Sequence, residues 1–310
     1  MYSSYLKKSF IYIIYMNVYY CKTSKWEVEY FQNEVFKKEV YGIDVNFIFF
    51  DNKTQIVGNQ SKNIIVTNRG ISLDFVENMI TKLKPFVIFH LSDEAGKEDE
   101  YYNLYNRPFV KVLFHQYNHE NIDYKINNIQ IPLGYVSGFL SDNASFNYKQ
   151  KYGRKYDFSF IGSLKSDRRI MLNKFKNNFK KSYIDTGITK WNNPHSQRVQ
   201  PDELFNIYTN SFFVPIGRGN KSLDCFRLYE AIVAGAIPVI CGSFKEFNIT
   251  FKFNDSPPPS IIVGETWDEA ITICEKIYND EDKICEIINS NHVWFQKQTM
   301  NISKKIISLL

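Results

Sequence analysis

A glycine-rich loop carrying two cations is the part of this sequence best suited to hold an anion: IGRGNKS, residues 216–222. The loop follows an apolar run typical of a buried strand and precedes a helical pattern. Backbone N–H groups in such a loop, together with the positive end of a helix dipole, favour a bound phosphate. Arg218 and Lys221 add positive charge, and Gly219 and Ser222 lie beside them. The glycine and lysine are not adjacent as in a Walker A loop, so the sequence predicts a diphosphate site of another type.

The helix predicted for residues 224–234 follows directly, and its two faces differ. Arg227 and Glu230 share one face with only alanines beside them, which lets another molecule approach closely. We interpret Arg227 as a diphosphate ligand and Glu230 as an acceptor of hydrogen bonds from sugar hydroxyls; the alternative is a solvent-facing ion pair. Gly235 ends the helix because glycine adopts a left-handed turn without strain. The opposite, buried face carries Cys225, Leu228, Tyr229, Ile232 and Val233.

A second polar group, HLSDE at residues 90–94, stands where an apolar run ends. The carboxyl end of a parallel strand faces the ligand cleft in open α/β sheets. Carboxylate and imidazole groups at such an edge are suited to accept a proton or to contact a ligand. The candidates are Asp93, Glu94 and His90, with His115 after the next strand. The alternative is that Asp93 only caps the following turn.

Short apolar runs alternate with amphipathic helical patterns along the chain of 310 residues. Such alternation predicts parallel, doubly wound sheets, and a polar stretch at residues 141–157 divides it into two α/β units. We expect an acceptor-side domain over residues 1–146, a ligand-binding domain over 155–288, and a C-terminal helix over 289–310 that packs back on the first domain. Strands are predicted at 45–51, 63–68, 85–90, 109–114, 129–134, 158–162, 182–187, 211–217 and 236–240.

The bulk properties exclude several classes of protein. Hydrophobic residues make up 44% of the chain, enough for a folded core, and the net charge of +5 is too small to indicate a nucleic-acid partner. The 5 cysteines are scattered without CxxC spacing, which predicts reduced core thiols rather than a zinc site. The N-terminal apolar run is shorter than the ~20 residues of a membrane span. We interpret it as an internal β-strand, with a membrane anchor as the alternative, and favour a cytoplasmic location.

The segment FFVPIGRGNKSLDCFRLYEAIVAGAIPVI resembles the nucleotide-sugar-binding half of exostosin-like glycosyltransferases. In that family a strand, a P-x-G loop, an R-x-x-E helix and A-G-x-I-P-V follow in this order. The segment FSFIGSLKSDRR is similar to the family's first strand and phosphate loop. The resemblance gives donor contacts to Gly162 and Ser163, and to Arg168 or Arg169 as the matching arginine.

In the N-terminal half, HLSDE and IPLGYVSGF look like the branch that includes ribitol xylosyltransferases and viral xylosyltransferases. The resemblance implies a GT-B fold, in which two Rossmann-like doubly wound domains face a central cleft. It also implies a UDP-sugar donor with xylose as the sugar, a glycan acceptor, and inversion at the transferred carbon. An inverting transfer needs a base that takes the proton of the acceptor hydroxyl. We take Asp93 as that base and Glu94 as the second candidate, with His90 and His115 as acceptor contacts. The pyrimidine of the donor would stack beyond Thr186 and Gly187.

The resemblance further implies a reaction without an essential metal, and the sequence agrees in one respect. The D-x-D sequence, Asp280–Asp282, lies between two predicted helices and not after a buried strand. Cations of the glycine loop would then stabilise the departing diphosphate. Two alternatives stay open: the same fold with UDP-glucuronate, UDP-galactose or GDP-fucose, and a catalytically silent GT-B scaffold that binds a nucleotide or glycan.

Overall fold

Two parallel sheets, one from each half of the chain, form the framework of the protein. The N-terminal apolar run supplies an interior strand, as predicted, over Met16–Cys21; the earlier part of the run lies outside the described residues. Among the residues described, no helix combines the length and the apolar character needed to cross a bilayer. This computed structural model describes residues 16–37, 42, 44–59, 61–119, 122–140, 153–187, 199–253 and 256–310.

The N-terminal sheet has six strands in the order β2-β1-β3-β4-β5-β6, and all its neighbouring pairs are parallel. Its central strands are buried on both faces, which explains their continuous apolar runs. The first strand is followed by a helical segment. It begins as a 3₁₀ helix (Lys22–Glu27), continues as a short α-helix (α1, Val28–Tyr30) and ends as a π-helix (Phe31–Val35). The strands are β1 (Met16–Cys21), β2 (Val45–Phe50), β3 (Lys62–Asn68), β4 (Val87–Leu91), β5 (Val112–His115) and β6 (Asn128–Gln130), with helices α2 (Leu73–Leu83) and α3 (Asp99–Tyr105).

The C-terminal sheet has five parallel strands in the order β11-β10-β9-β7-β8. The strands alternate with helices along the chain, so both sheets are doubly wound in the way that the alternating pattern predicts. The strands are β7 (Tyr156–Ile161), β8 (Ser182–Asp185), β9 (Ser211–Ile216), β10 (Ile237–Cys241) and β11 (Ile262–Gly264). The helices are α4 (Arg168–Asn178), α5 (Pro201–Thr209), α6 (Phe226–Val233), α7 (Phe244–Thr250), α8 (Trp267–Tyr278) and α9 (Glu281–Ile307).

The long helix α9 connects the two halves. It runs without interruption through residue 289, where the separate C-terminal segment was expected to begin. The Ser303 hydroxyl donates a hydrogen bond of 2.7 Å to the Val35 carbonyl, and the ring of Phe295 lies 6.0 Å from that of Tyr30. The core of the first unit therefore continues into the second through aromatic packing, which fixes the cleft between the sheets.

Helix α6 shows how the local sequence positions the cleft. Its buried stripe includes Leu228, Tyr229, Ile232 and Val233, as the apolar spacing predicts. Gly235 has φ +73° at the end of this helix, which confirms the predicted left-handed turn. The turn leads directly into β10, which pairs with β9 in the sheet. Because the helix connects these two neighbouring strands, its start lies at the carboxyl end of β9.

Candidate active site

A cavity of about 190 Å³ lies where the carboxyl ends of the two sheets face each other. Strands β4 and β5 of the first sheet end just before Glu94 and Tyr117, and β7 and β9 of the second end just before Gly162 and Gly217. This is the edge at which open α/β sheets bind ligands. The N-terminal unit lines the cavity with Trp26, Glu94, Tyr117 and Val136, and the C-terminal unit lines it with, among others, Gly162, Ser163, Lys165, Arg168, Gly217, Gly219, Asn220, Asp224 and Arg227.

The loop after β9, residues 217–222, here called the β9 loop, presents backbone N–H groups toward the N-terminal unit. The Glu94 carboxylate accepts hydrogen bonds from the N–H groups of Lys221 (2.7 Å) and Ser222 (3.1 Å), and from the Asn220 side chain (2.9 Å). A Cβ on Gly219 would lie 2.7 Å from the Glu94 Oε1 atom, so a larger residue here would require the carboxylate to shift. The loop thus binds a carboxylate from the opposite unit, and the predicted contact with a diphosphate stays a prediction.

Arg168 joins the loop after β7 to the β9 loop. Its Nη1 donates to the Ser163 carbonyl (3.2 Å) and its Nη2 to the Arg218 carbonyl (3.0 Å), while Arg169 is exposed. A Cβ on Gly217 would lie 2.3 Å from the Arg168 Cγ, so the glycine makes room for this side chain. Of the two candidate arginines, the structure therefore brings Arg168 to the cavity.

Lys165 is a cavity residue that the sequence reasoning missed. Its Nζ donates a 2.6 Å hydrogen bond to the side-chain oxygen of Asn220, which bridges the same two loops. Burial, and then the neighbouring charge of Arg168, lower the pKa of Lys165. The lysine of SLKSDRR stands three residues from Arg168, and the family resemblance drew attention only to the arginines.

Arg227 and Glu230 form an ion pair of 2.5 Å between Nη1 and Oε2. Arg227 lines the cavity as predicted, but Glu230 is fully buried, and its other oxygen accepts from the Val136 N–H (3.4 Å). The expectation that Glu230 receives hydrogen bonds from sugar hydroxyls is wrong, because the carboxylate has no surface toward the cavity. Its role in the structure is to hold the Arg227 guanidinium in place.

Arg218 and Lys221, the two predicted cations of the β9 loop, contact the site through their backbone atoms and not through their side chains. Arg218 makes a bidentate ion pair with Glu246, including a 2.6 Å hydrogen bond from Nη2 to Oε2. Hydrogen bonding to Glu246 raises the pKa of Arg218. The side chain of Lys221 is exposed, and neither residue lines the cavity. The prediction that their charges face the anion is wrong for this conformation, although the Lys221 N–H does bind it.

Thr186 and Gly187 follow β8, the edge strand of the second sheet. The Gly187 N–H bonds the side chain of Asp185 (2.8 Å), and Thr186 is exposed. Neither residue lines the cavity, but Gly162, which does, donates its N–H to the Asp185 carbonyl (2.9 Å). The predicted contact with a pyrimidine ring stays a prediction.

The assignment of Asp93 as a cleft-facing base is wrong. Ser92 has φ +71°, which turns the chain so that Asp93 points into the first unit and is only 2% exposed. Its carboxylate accepts from the Tyr102 hydroxyl (3.0 Å) and the Lys97 N–H (3.1 Å). Asp93 therefore stabilises the turn, as the alternative interpretation holds, and Glu94 is the carboxylate that reaches the cavity.

The two histidines predicted to contact the acceptor are also buried. His90 is fully enclosed, with hydrogen bonds to the Tyr105 hydroxyl (2.6 Å) and the Glu98 carboxylate (2.7 Å). His115 lies against the ring of Tyr124, and burial lowers its pKa to about 4. Both are buried within the first unit and neither lines the cavity, so the structure does not bring them to the predicted acceptor side.

Three further cavity residues were not predicted from the sequence: Trp26, Tyr117 and Asp224. Trp26 and Tyr117 are aromatic residues beyond strand ends, and Tyr117 has φ +59°. Burial, followed by the charges of Asp224 and Glu94, raises the pKa of Tyr117. Asp224 is 1% exposed, and burial raises its pKa to about 7. In the sequence Asp224 looked like an ordinary first residue of a helix.

Metal ligands do not gather at this site. Within the part of the chain that the structure describes, no group of three or more His, Cys, Asp or Glu side chains has the arrangement of a metal site. Asp280 of the D-x-D sequence accepts a 3.0 Å hydrogen bond from the Lys283 N–H and caps α9. The D-x-D sequence thus belongs to the start of a helix far along the chain from the cavity residues.

No family model matches the chain, and no curated protein matches it significantly. Solved structures do match over nearly the whole chain. Anabaena HepE in complex with UDP and glucose matches with a TM-score of 0.56 and 10% identity, over 95% of this chain and 99% of that one. A DNA-modifying beta-glucosyltransferase, studied with and without uridine diphosphoglucose, matches with a TM-score of 0.51 and 12% identity, over 95% and 99%. An alpha1,3-fucosyltransferase matches with a TM-score of 0.50 and 13% identity, over 99% and 93%.

These structures are similar to this chain in architecture across both units, and at such low identity the similarity concerns the fold. The two doubly wound parallel sheets, the order of their strands and the cleft between their carboxyl ends agree with it. The protein has the GT-B fold.

Proposed function

We propose that the protein is a glycosyltransferase that moves a sugar from a UDP-sugar, with xylose as the preferred sugar, to a glycan acceptor. The observation that carries the proposal is the β9 loop, whose N–H groups and Asn220 hold a carboxylate at the cleft. A diphosphate carries more charge and more acceptor oxygens than the Glu94 carboxylate. It is therefore suited to replace that carboxylate in the loop.

Three cations line the same cavity and support this assignment: Lys165, Arg168 and Arg227. Their ammonium and guanidinium groups are held in place by hydrogen bonds to Asn220, to loop carbonyls and to Glu230. Fixed positive groups of this kind stabilise the negative charge that develops on a departing diphosphate. We propose that they take the place of an essential metal.

The size of the cavity indicates how the donor enters. At about 190 Å³ it is smaller than the roughly 300–1,000 Å³ of pockets that enclose whole ligands. The Glu94 carboxylate closes it from the N-terminal side. Binding of the donor diphosphate displaces Glu94, which widens the cavity and frees the carboxylate next to the acceptor side of the cleft.

The freed Glu94 is then the general base, in place of the buried Asp93. An acceptor hydroxyl oxygen forms a bond to the anomeric carbon while the bond from that carbon to the diphosphate oxygen breaks. The hydroxyl proton goes to the Glu94 carboxylate, and the diphosphate leaves with the bonding electrons. Attack from the N-terminal side, opposite the diphosphate, inverts the configuration at that carbon.

The choice of uridine and xylose has separate support. HepE was solved with UDP and glucose, and the beta-glucosyltransferase in the presence of uridine diphosphoglucose, so uridine nucleotides are used on this fold. Xylose rests on the resemblance of HLSDE and IPLGYVSGF to the xylosyltransferase branch. The alpha1,3-fucosyltransferase neighbour keeps a fucose donor as the competing alternative.

A thermal-shift panel of UDP-xylose, UDP-glucose, UDP-glucuronate, GDP-fucose and CMP-sialate tests the donor class. A ligand at about 100 times its Kd stabilises the folded state by about 2.7 kcal/mol, which raises Tm by several degrees in a chain of this size. We expect the UDP-sugars alone to raise Tm, with UDP-xylose giving the largest shift and EDTA changing nothing. Stabilisation by GDP-fucose alone, or a shift that EDTA removes, would contradict the proposal.

The burial of Asp93 favours one alternative, a GT-B scaffold that binds a nucleotide sugar without turning it over. Release of UDP from UDP-xylose in the presence of a glycan mixture separates the two functions. An enzyme releases UDP in a reaction that Glu94→Gln abolishes. A scaffold binds the nucleotide equally well and releases none.

A further inference from the structure

We propose that Gln116 is a positioning residue for the transfer, because its side chain holds the turn at Ser92 that carries Glu94 to the cleft. The inference rests on the proposed function, in which Glu94 closes the free site and then accepts the proton. Gln116 is not among the residues that line the cavity. It therefore acts through Glu94 and not by contact with a substrate.

Gln116 joins the ends of two neighbouring strands. Strands β4 and β5 pair in parallel with His90 opposite His115, and the Gln116 N–H continues the ladder with a 3.3 Å hydrogen bond to the His90 carbonyl. In a regular parallel ladder the Ser92 N–H would next bond the backbone carbonyl of Gln116. It bonds the side-chain oxygen of Gln116 instead, at 2.8 Å. The side chain thus completes the ladder in place of the backbone.

This replacement lets both chains leave the sheet at the same level. Ser92 has φ +71°, and Tyr117, the residue after Gln116, has φ +59°. Left-handed backbone is uncommon in residues other than glycine, so it persists only where neighbouring contacts hold it. Beyond the two turns, Glu94 and Tyr117 both line the cavity. The hydrogen bond between Gln116 and Ser92 therefore joins the two turns from which these cavity residues project.

The surroundings of Gln116 restrict its amide to one orientation. The side chain is 1% exposed, and the carboxyl group of Glu27, which is 2% exposed, lies next to it. Burial raises the pKa of Glu27 to about 8, against the lowering effect of hydrogen bonding from its own backbone and from Gln116. Because the amide oxygen bonds Ser92, the NH₂ group is the end that faces Glu27. A fixed, buried side chain thus supports the turn at Ser92.

Loosening this turn should have two opposite effects. Glu94 occupies the N–H groups of Lys221 and Ser222, which the donor diphosphate needs. A less fixed Glu94 competes less well for them, so UDP should bind as tightly as before or more tightly. The same freedom moves the carboxylate away from the acceptor hydroxyl, and a misplacement of about 1 Å can lower a rate by about 10²-fold. A residue needed only for folding would not separate affinity from rate in this way.

Two measurements on the full chain test the inference: titration calorimetry with UDP, and the rate of UDP release from UDP-xylose in the presence of a glycan mixture. Gln116→Met removes the acceptor oxygen and keeps the length of the side chain. The matched control is Gln298→Met, which replaces another buried glutamine, on α9 and outside the cavity. We expect Gln116→Met to lower the rate at least tenfold and to bind UDP as tightly as the wild type or more tightly. Gln298→Met should change both quantities by less than about twofold.

Two results would overturn the inference and leave the proposed function standing. If Gln116→Met kept the wild-type rate, Glu94 would not depend on the turn that Gln116 holds. If it lost UDP affinity in parallel with the rate, Gln116 would support the cleft as a whole. A wild-type protein that bound no uridine nucleotide would instead overturn the proposed function, and this inference with it. Should Gln116→Met fold poorly, the same two quantities are measured on Gln116→Asn, whose amide is one methylene too short to reach the Ser92 N–H, and the same results decide.

Discussion

The segments after β4 and after β9 both end a buried strand at the same cleft, yet the sequence predicted them with different success. After β9, the backbone N–H groups of a glycine loop are exposed as expected, and they bind the carboxylate of Glu94. After β4, the chain turns at Ser92, so that Asp93 points inward and its neighbour Glu94 reaches the cleft. Residue types identify a loop whose backbone is exposed. The direction in which a side chain points, however, can depend on a single φ angle, which residue types do not give.

The largest expected effect concerns this pair of carboxylates. Glu94→Gln removes the proposed base and should lower transfer by about 10²–10⁴-fold, the usual contribution of general-base catalysis. Its neighbour supplies the matched variant: Asp93→Asn should keep UDP affinity and act mainly on stability, by about 1–3 kcal/mol, because it loosens a buried turn. Sugar transfer from UDP-xylose and chemical unfolding measure the two effects. If Asp93→Asn lost sugar transfer while Glu94→Gln kept it, Asp93 would be the base.

The next effect separates the two adjacent arginines. Arg168→Lys keeps the charge but loses the planar guanidinium, which donates hydrogen bonds to one carbonyl in each of the two loops. The free energy of UDP binding should therefore weaken by about 1.5–3 kcal/mol, or roughly 10–100-fold in affinity. Arg169→Lys, on the exposed neighbour, should change affinity by less than twofold. Titration with UDP checks both variants. Equal losses at the two positions would show that net charge, and not the bridge between loops, governs binding.

The pH dependence of the free energy of unfolding tests whether His115 is a buried structural residue and not a site residue. The folded pKa of His115 is about 4, below the ~6.5 of an unfolded chain, so the unfolded state takes up the proton first as pH falls. Stability should therefore be full above pH 6.5 and decline by up to about 3 kcal/mol toward pH 4. Chemical unfolding across this range should show a shallower decline in His115→Gln. An unchanged pH profile in that variant would place the acid sensitivity elsewhere.

The smallest effects concern the cations whose side chains leave the cavity. Lys221 contributes only its N–H to the loop, so Lys221→Ala should change UDP affinity by less than about twofold. Arg218→Ala breaks a half-exposed pair with Glu246 and should cost under about 1 kcal/mol of stability. Calorimetry and thermal unfolding measure these changes. A tenfold loss of UDP affinity in either variant would show that the side chain turns to the nucleotide when it binds.

Much of the fold could be predicted because apolar runs and helical periodicity reflect burial directly. The strands over Lys62–Asn68 and Val87–Leu91 and the helix that ends at Gly235 lie where those patterns indicate them. The exposed backbone at Gly219 and the cavity position of Arg227 also followed from residue type and spacing, whereas the family resemblance pointed to Arg168 or Arg169 without choosing between them.

The remaining site residues depended on tertiary contacts that no local pattern contains. Glu230 looked accessible on a helix with alanines, but the first unit covers it through Val136. Asp224 looked like an ordinary start of a helix, and only the packing of the two units around it buries its carboxylate. The contact of Glu94 with Ser222 joins residues 128 positions apart, a separation that no sequence motif spans.

A crystal of the protein soaked with UDP would show whether the β9 loop binds the diphosphate. We expect a diphosphate oxygen within hydrogen-bond distance of the Lys221 and Ser222 N–H groups, with the Glu94 side chain rotated away from the loop. UDP bound elsewhere, while Glu94 keeps its hydrogen bonds to the β9 loop, would contradict the proposed donor site.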